Sequence, residues 1–551
     1  MEAMTDTDRN PLVLALLDPE AYPVPTRQVE LAETHISLVF LLDRDVFKLK
    51  KPLDLGFLDF STLERRRHFC EEEVRLNRRL APDVYRGVVP IRRTSFGIQV
   101  GGEDDSAGEI IEYAVHMVRL PDDARLADRL AAGLVTDSFW PQLGERLARF
   151  HAAAERSKQT TLGATFARIA ENARGNLIET APFVGAQTPA AISRTLHTRV
   201  RDAVERALTT LRPIFEERAA RGIPCDTHGD LRLDHVYHFP ERTPPDDLVI
   251  IDCVEFSERF RHADPISDVA FLAMDLSFAG EHALADALTR SYLEASGDTG
   301  TLFPWYIAYR SAVRAKIDHL TIAHADLTED RRDQLVERAL GHWLFALGSL
   351  EPPIRRPALV LVGGPPGCGK STVAEGVHTL AQFEWIRSDL VRRELFPSLK
   401  GAALYSPERV GEVYSECLER ADRIIAQGGR ALIDATFHLD APRQAAVSLA
   451  LSRRVPCVFL ELTIDRATAH ARIAGRAEDS SLDSSSDSAE GPIDNPSDAD
   501  AQVHDQLVAE WEVVEGPTAR VREPVSAEGD RTTVLAAALS KLNAHGLFAP
   551  E

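Results

Sequence analysis

Cysteine is scarce in this sequence, and the cysteines are never paired. The six cysteines among 551 residues stand singly, with no C-x-x-C pair and no zinc-like histidine spacing beside them. A disulfide framework and a zinc module of the usual spacing are therefore both disfavoured. We expect reduced thiols, as in a cytoplasmic protein.

Long apolar runs are also missing. No stretch approaches the about 18 uninterrupted apolar residues that a membrane-spanning helix needs. The N-terminus is acidic, and its first apolar run, residues 11–17, is short and lacks the basic flank of a secretion signal. These features predict a cytoplasmic protein without a membrane partner.

Positive charge is in deficit. Lys and Arg total 63 against 85 Asp and Glu, and the net charge of −22 opposes broad adhesion to phosphate backbones or anionic membranes. Nucleic acid is therefore a disfavoured partner. With 44% hydrophobic and 27% charged residues the chain has a globular composition, and its length predicts several domain-sized units.

A proline-rich linker at 351–357 separates a domain at 1–350 from one at 358–551, because its prolines interrupt helical patterning just before an apolar strand. Upstream, the patterns predict strands over 29–60, a helix over 61–80, strands over 84–119 and helices over most of 122–220. Strands followed by helices predict a sheet-rich lobe and then a helical lobe.

Downstream of the linker, apolar runs at 358–362, 431–433 and 457–462 alternate with helical stretches. This alternation predicts a parallel sheet of β-α units. Residues 478–500 differ in character, with eight acidic residues, seven serines and no Lys or Arg. We expect a mobile acidic, Ser-rich lid insert there.

The strongest motif follows the first downstream strand. It is a G-x-x-x-x-G-K-S sequence that leads into a helical stretch beginning with Thr372, and it reads Gly364-Pro365-Pro366-Gly367-Cys368-Gly369-Lys370-Ser371. Its glycines let backbone N–H groups converge on an anion at a helix N-terminus, Lys370 can reach phosphates, and Ser371 can offer a hydroxyl to Mg²⁺. The alternative is an ordinary Gly-rich turn.

Two carboxylates are candidates to complete this site. Asp434 ends the apolar strand 431–433 and could hold a hydrated metal ion, although a strand-end turn is the alternative. Asp389 stands where a strand leads into a helix, and it could accept a proton from an attacking hydroxyl with Arg392 countering developing charge. A simple N-cap is the alternative for Asp389.

On these motifs, residues 356–545 resemble the small P-loop kinases that phosphorylate hydroxyl groups, a group that includes polynucleotide 5′-hydroxyl kinases, zeta toxins and gluconate-kinase-like enzymes. The resemblance implies ATP bound by residues 364–372, and it places Arg472 and Arg476 as lid arginines. These two arginines are four apart and share a helix face, so both could meet a phosphate chain. A solvated surface pair is the alternative. The insert at 478–500 departs from a short lid.

A second set of motifs lies upstream. Thr227-His228-Gly229-Asp230 is followed by an apolar strand that ends in Asp252, and then by Asp264-Pro265-Ile266-Ser267-Asp268. Asp230 would orient and deprotonate a hydroxyl, and Asp252 would hold a metal ion that bridges phosphate oxygens. Each is individually compatible with a turn or strand-end Asp, but their order favours the joint interpretation.

These residues make 25–345 similar to the aminoglycoside phosphotransferase-like kinases, in which H-G-D replaces the H-R-D catalytic loop. The resemblance implies an N-lobe over about 25–120, a C-lobe over about 121–345 and an adenine hinge over 112–120. Lys48 would grip phosphates, with Lys50 as the alternative on the same strand face. Glu73 would be the lysine's partner, with Glu72 as the alternative. His151 is predicted to be a packed helix residue.

The upstream half departs from that family twice. His235 stands where the family has a metal-binding Asn, and nitrogen suits Mg²⁺ less well than oxygen does. The hairpin region 34–38 has no G-x-G-x-x-G to cover phosphates. A degenerate domain that binds nucleotide without transferring phosphate is therefore a real alternative.

The predicted fold is an α+β kinase-like bilobal domain followed by an α/β P-loop domain with a parallel sheet. The predicted function is an enzyme with two ATP and Mg²⁺ sites that phosphorylates hydroxyls of small molecules, with metal ligands His235, Asp252, Ser371 and Asp434. The alternatives are an ATP-driven regulator and a nucleic-acid 5′-hydroxyl kinase. The sequence leaves the substrate and the oligomeric state open.

Overall fold

The computed structural model describes residues 11–56, 58–101, 108–188, 191–325, 327–399, 401–483 and 500–549. The chain forms two compact units, of which one comprises Met1–Ile169 and Leu211–Tyr306 and the other Ala170–Thr210 and Ile307–Glu551. The second unit draws on both sides of the segment 351–357; the domain boundaries proposed from sequence remain a prediction. Within the described ranges, no helix has both the length and the apolar character to cross a membrane.

The strands follow the predicted order along the chain. They are β1 (Glu30–Glu33), β2 (Ser37–Leu41), β3 (Asp45–Lys50), β4 (Tyr85–Thr94), β5 (Gly97–Val100), β6 (Glu109–Val118), β7 (Cys225–Asp226), β8 (Val236–His238), β9 (Leu248–Ile250), β10 (His262–Ala263), β11 (Ala358–Gly363), β12 (Glu384–Arg387), β13 (Arg430–Asp434), β14 (Cys457–Thr463) and β15 (Arg522–Ser526).

The helices include those predicted over 61–80, over most of 122–220 and between the strands of the downstream sheet. They are α1 (Pro11–Leu16), α2 (Leu63–Asn77), α3 (Leu126–Ala131), α4 (Phe139–Ala153), α5 (Lys158–Gly163), α6 (Phe166–Thr180), α7 (Arg194–Ala220), α8 (Glu258–Arg261), α9 (Ile266–Phe278), α10 (His282–Ser296), α11 (Phe303–His324), α12 (Glu329–Leu350), α13 (Lys370–Ala381), α14 (Ser388–Leu395), α15 (Pro407–Ile425), α16 (Asp440–Arg453), α17 (Arg466–Asp483), α18 (Ala501–Ala509), α19 (Gly516–Val521) and α20 (Arg531–Ala544).

The first unit begins with an antiparallel sheet of order β1-β2-β3-β6-β4-β5. In its central strand β3, Lys48 and Lys50 are two residues apart and therefore share a face of the sheet. Helix α2 starts at Thr62, whose hydroxyl accepts the Arg65 N–H at 3.3 Å. The buried face of α2 includes Glu73 and packs on the sheet. The alternation of side chains in β3 and the buried face of α2 thus place the two lysines and Glu73 in one interior region.

Two short two-stranded sheets in the helical part of the first unit frame the upstream motifs. Strand β7 pairs with β10 and β8 pairs with β9, all antiparallel. The segment 227–235 connects β7 to β8, and Asp252 follows β9. Helices α4, α9 and α10 pack together beside them. The two small sheets therefore bring the H-G-D motif and Asp252 to the same end of this subdomain.

The second unit contains the predicted parallel sheet, with strand order β12-β13-β11-β14-β15. Every residue of β11 is buried, as expected for a central strand of continuous apolar sequence. Helices α13 and α20 pack against each other over this sheet's apolar core. Helix α12 ends at Leu350 and β11 begins at Ala358, so the helix stops at the proline-rich segment as predicted.

Candidate functional site

The phosphate loop joins the end of β11 to the start of α13. Gly364, Gly367 and Gly369 have φ angles of +146°, +87° and +88°, which L side chains rarely adopt. A Cβ on Gly364 would lie 2.6 Å from the Leu462 carbonyl oxygen, whereas a Cβ on Gly369 would meet nothing within 4 Å. The loop is therefore packed tightly on one side, and at Gly369 its backbone is open to an approaching ligand.

Lys370 begins α13, and its ammonium group donates to the Pro365 carbonyl oxygen at 3.1 Å. The Cys368 side chain is buried, and burial raises the pKa of its thiol. Ser371 and Thr372 follow Lys370 in the first turn of α13. The loop thus presents a cationic side chain and a helix N-terminus together, which is an arrangement that binds anions.

Asp434 ends β13 at the carboxyl edge of the sheet, directly beside Val362 of β11. Burial raises the pKa of Asp434, while the charge of Lys370 and a hydrogen bond with Ser371 act in the opposite direction. Carboxylate and hydroxyl oxygens are the ligands that Mg²⁺ prefers in proteins. Ser371 and Asp434 therefore fit a magnesium ion at this edge.

Asp389 lies two residues beyond Arg387, which is paired with Asp434 in the sheet register. An Asp389 carboxylate oxygen accepts a hydrogen bond from Arg392 Nη1 at 2.6 Å. The Arg392 guanidinium also lies 4.7 Å from the ring centroid of Tyr405, a cation–π contact. The negative charge of Asp389 raises the pKa of Asp434, so the two carboxylates face a common region.

The two proposed lid arginines lie in α17. Arg472 donates to the Ala527 and Gly529 carbonyl oxygens at 3.1 and 3.2 Å, so its guanidinium is held by the loop after β15. The side chain of Arg476 and residues 484–499 of the predicted insert lie outside the described residues. The role of these arginines at the phosphates remains a prediction.

The upstream site is built around an ion-pair network. Lys48 Nζ lies 2.9 Å from Glu73 Oε1 and 2.7 Å from Asp252 Oδ1. Lys50 is fully buried and pairs with both Glu73 and Glu255. Each lysine is therefore held between two carboxylates, and Glu73 belongs to both pairs.

In this network, neighbouring charges together shift the pKa values more than burial does. Burial alone raises the pKa of Asp252, but Lys48 and His235 hold the pKa of this carboxyl well below its usual range. Burial alone lowers the pKa of Lys48, but Asp252 and Glu73 hold it well above the ordinary value. Both groups are ionised at neutral pH.

The alternative partner, Glu72, pairs with Arg75 on the same helix at 2.7 Å. Glu73 is therefore the residue of this helix that reaches the lysines, as the sequence predicts. Glu112, at the predicted hinge, is buried and accepts from Arg66 Nε at 2.8 Å. The hinge itself remains a prediction.

The buried carboxylate of Asp268 holds the backbone of the H-G-D motif. Asp268 accepts the backbone N–H groups of His228 at 2.6 Å and Gly229 at 2.9 Å. His151 Nε2 lies 3.2 Å from the same carboxylate, and the ring is buried in α4 as predicted. Burial lowers the pKa of His228 to about 4, so its ring is neutral near neutral pH. The motif is thus fixed before any ligand binds, and Asp230 is left 34% exposed.

His235 lies between the two upstream aspartates. Its Nδ1 is 2.9 Å from the Asp230 carbonyl oxygen, and its Nε2 is 3.5 Å from Asp252 Oδ2. Because a carbonyl oxygen only accepts, Nδ1 carries the proton of that bond. A nitrogen and a carboxylate oxygen therefore face each other as candidate metal ligands. Asp252 adopts a φ of +66°, unusual for a non-glycine residue and a frequent mark of a functional position.

Sequence reasoning missed Glu255 and did not recognise the role of Asp268. Asp268 has a signal, because it ends the Asp264–Asp268 motif that follows the H-G-D segment. Glu255 has none, because a glutamate three residues after a strand-end aspartate predicts an exposed turn residue rather than the buried partner of Lys50.

Comparison with known proteins identifies relatives of the whole chain. A family model described as an AAA domain, AAA_33, matches residues 359–513. The "Uncharacterized protein Rv2004c" of Mycobacterium tuberculosis (strain ATCC 25618 / H37Rv) is 31% identical over 473 residues, or 84% of this chain and 89% of the relative. The "Uncharacterized protein Mb2027c" of Mycobacterium bovis matches to the same extent.

Among solved structures, a gluconokinase from Sinorhizobium meliloti 1021 matches with a TM-score of 0.26 and 14% identity, covering 35% of this chain and 95% of its own. A choline/ethanolamine kinase family protein from Mesorhizobium loti matches with a TM-score of 0.34 and 14% identity, covering 62% and 98%.

Proposed function

We propose that this chain, which belongs to the same family as the mycobacterial proteins Rv2004c and Mb2027c, is an ATP-dependent phosphotransferase with two nucleotide sites. A match over 84% of the chain cannot lie within either half alone, so the relatives extend across both sets of motifs. Each site would transfer the γ-phosphoryl group of ATP to a hydroxyl of a small molecule.

One observation carries the proposal: Lys370, Ser371 and Asp434 converge at the carboxyl edge of the parallel sheet, inside the region that the AAA-domain family matches. Open α/β sheets bind ligands at this edge. Lys370 would clamp phosphates, and Ser371 and Asp434 would hold Mg²⁺. When bound, that ion supplies positive charge to the phosphate oxygens.

Asp389 is the proposed proton acceptor of this site. Its carboxylate is 37% exposed, so an acceptor hydroxyl can reach it. The hydrogen bond from Arg392 fixes the carboxylate and keeps positive charge beside the place where a hydroxyl would lose its proton. Phosphoryl transfer needs positioning and charge stabilisation above all, and these residues supply both.

The upstream half is proposed as the second site. Lys48 would grip phosphates, Glu73 would orient it, Asp230 would accept the proton, and Asp252 with His235 would hold the metal ion. The supporting geometry is that Lys48 and His235 both approach the Asp252 carboxylate, at 2.7 and 3.5 Å. The exposure of Asp230 is consistent with contact to a substrate hydroxyl.

A second candidate function follows from His235. An imidazole nitrogen in place of an oxygen ligand weakens Mg²⁺ binding, and that favours an upstream half that binds nucleotide without turnover. In that case the P-loop half would be the catalyst, or an ATPase that gates the upstream half.

The test measures ADP formed from ATP and Mg²⁺ by the full chain, with and without a panel of sugars, aminoglycosides, nucleosides and short oligonucleotides. Wild type is compared with Asp230→Ala and Lys370→Ala. Matched controls are Asp286→Ala, an exposed aspartate of α10, and Lys541→Ala, a lysine of α20 paired with Glu523.

The two-site proposal predicts that one or more alcohols stimulate turnover and that each of the two variants removes a separate part of it. Loss of all alcohol-dependent turnover with Lys370→Ala alone would favour the regulatory alternative for the upstream half. Turnover that ignores every alcohol and depends only on Lys370 would indicate an ATPase, and the phosphotransferase proposal would then be wrong.

A further inference from the structure

Beside the phosphate loop lies a group of side chains that the proposed phosphotransfer does not use. His470 of α17 and His504 and Asp505 of α18 each offer one ligand atom, and these three atoms lie within 4.8 Å of one another. His470 and Asp505 are about one-third exposed, whereas His504 is buried. We call these three residues the α17–α18 cluster.

His504 is oriented by the phosphate loop itself. Its Nδ1 lies 2.7 Å from the Pro366 carbonyl oxygen, and because that oxygen only accepts, Nδ1 carries the proton. In a neutral imidazole the lone pair then resides on Nε2. An imidazole that donates one nitrogen to a backbone carbonyl and keeps the other for a cation is the usual arrangement of a metal-binding histidine.

His470 and Asp505 already approach each other. His470 Nε2 is 3.0 Å from Asp505 Oδ1, and Arg466 Nε donates to that same oxygen at 2.8 Å. The Arg466 side chain is 71% exposed, so its Nε can release Oδ1 to a cation while its Nη2 keeps the bond to Oδ2. Ligating carboxylates are commonly held by such an outer hydrogen bond.

We propose that the α17–α18 cluster binds a transition-metal cation of the Zn²⁺ class, with solvent as the fourth ligand. Nitrogen atoms 2.0–2.1 Å from zinc in a tetrahedral site are about 3.3 Å apart, so ligand atoms that lie within 4.8 Å of one another must close by up to about 1.5 Å. The exposed His470 and Asp505 side chains can make that movement. On binding, His470 releases the proton that it shares with Asp505 or moves it to Nδ1.

The donor set selects the ion. Two imidazole nitrogens and one carboxylate oxygen suit Zn²⁺ and Co²⁺, whereas Mg²⁺ requires oxygen ligands in octahedral geometry. Since His504 contacts Pro366, the ion would also connect α17 and α18 to the phosphate loop. This site is independent of the proposed phosphotransfer and exists whether or not the chain is a kinase.

The test titrates the nucleotide-free full chain with Co²⁺, whose visible d–d bands report four-coordinate binding, and then displaces it with Zn²⁺. Wild type should bind one Co²⁺ at the cluster, with affinity weakened at least about tenfold in both His470→Gln and Asp505→Asn. The control His545→Gln removes a histidine that pairs with Glu523 at 2.8 Å in the same unit, and it should bind as wild type does.

A variant that gains a spectroscopic signal distinguishes an altered metal site from a misfolded protein. His470→Cys substitutes a thiolate ligand, and it should add a near-ultraviolet thiolate-to-cobalt band that wild type lacks. Absence of stoichiometric Co²⁺ binding by wild type would overturn the proposal. It would equally be overturned if His470→Gln and Asp505→Asn bound Co²⁺ as wild type does, or if His470→Cys gave no new band.

Discussion

In the upstream site both lysines of β3 are ion-paired with carboxylates, whereas Lys370 of the phosphate loop donates to the backbone carbonyl of Pro365. The pKa values of the carboxylates at the two sites, Asp252 and Asp434, also differ. Lys48 and His235 hold the pKa of Asp252 well below its usual range, while burial raises the pKa of Asp434. The upstream lysines contact carboxylates directly, whereas Lys370 contacts a backbone carbonyl and acts on Asp434 through its charge.

This contrast has a physical consequence for ligand binding. An anionic phosphate chain that enters the upstream site must compete with Asp252 and Glu73 for Lys48, so a metal ion that engages Asp252 would help to free the lysine. The phosphate loop offers its helix N-terminus and Lys370 directly. The upstream site is therefore the more dependent of the two on its metal ligands.

The largest expected effect separates the two lysines of β3. Lys50→Met leaves Glu255 buried without its ion-pair partner, while Glu73 keeps Lys48, and breaking a buried pair in this way costs about 3–5 kcal/mol of unfolding free energy. Lys48→Met should cost less than half as much, because Glu73 keeps Lys50 and the Asp252 side chain is 43% exposed. Denaturant unfolding of both full-length variants measures the difference.

Nucleotide binding should show the reverse order. Lys48→Met should remove nucleotide binding upstream, whereas any Lys50→Met protein that folds should retain it. We expect Lys50 to stabilise the fold and Lys48 to contact the ligand. Equal destabilisation by Lys50→Met and Lys48→Met would contradict this difference in role.

The next effect concerns the phosphate loop. Lys370→Ala should lower turnover at this site on the order of 10²–10³-fold, the usual cost of removing one charge-stabilising donor from a transition state. Stability should change little, because Lys370 has a backbone carbonyl rather than a buried carboxylate as its partner. Steady-state ADP formation and thermal unfolding are measured on the same samples, with Lys541→Ala as the control. A large loss of stability would mean that this lysine, too, is structural.

The sequence predicts the parallel sheet and the phosphate loop well because both are local. A buried strand, a glycine-rich turn and a helix are contiguous in 358–381, and each has a distinct composition. The pairing of Glu73 with Lys48, by contrast, is implied by the family resemblance of the upstream motifs and not by local patterning.

Contacts between distant segments could not be predicted in the same way. Lys50 meets Glu255 across 205 residues of sequence, and Arg472 reaches carbonyl groups 55 and 57 residues away. Neither pairing leaves a periodicity or a motif, because each depends on how separate elements pack. The roles assigned to individual site residues remain predictions for the same reason.

A third prediction uses pH to compare the sites. Burial lowers the pKa of His228 from 6.5 to about 4, so stability from this neutral ring is complete above pH 6.5 and is lost as the pH falls toward 4. The loss amounts to about 3 kcal/mol. Asp434 has the opposite sign, because its raised pKa favours the folded state at low pH.

Unfolding free energies of wild type and His228→Asn across this pH range measure the effect. The two curves should converge as the pH falls from 6.5 to 4, since the variant has no imidazole to protonate. Parallel curves for wild type and His228→Asn would show that this ring does not limit the acid stability of the upstream site.

The smallest effect addresses the metal preference of the upstream site. His235 Nε2 faces Asp252 Oδ2 at 3.5 Å, and an imidazole nitrogen favours Mn²⁺ over Mg²⁺ more than an amide oxygen does. His235→Asn should therefore raise Mg²⁺-supported upstream turnover by about tenfold and reduce its Mn²⁺-to-Mg²⁺ ratio. The measurement is made in a Lys370→Ala background, where the phosphate loop no longer contributes ADP. An unchanged Mn²⁺-to-Mg²⁺ ratio would show that His235 is not a ligand of the metal ion. Asp252 would then remain as the proposed metal ligand of the upstream site.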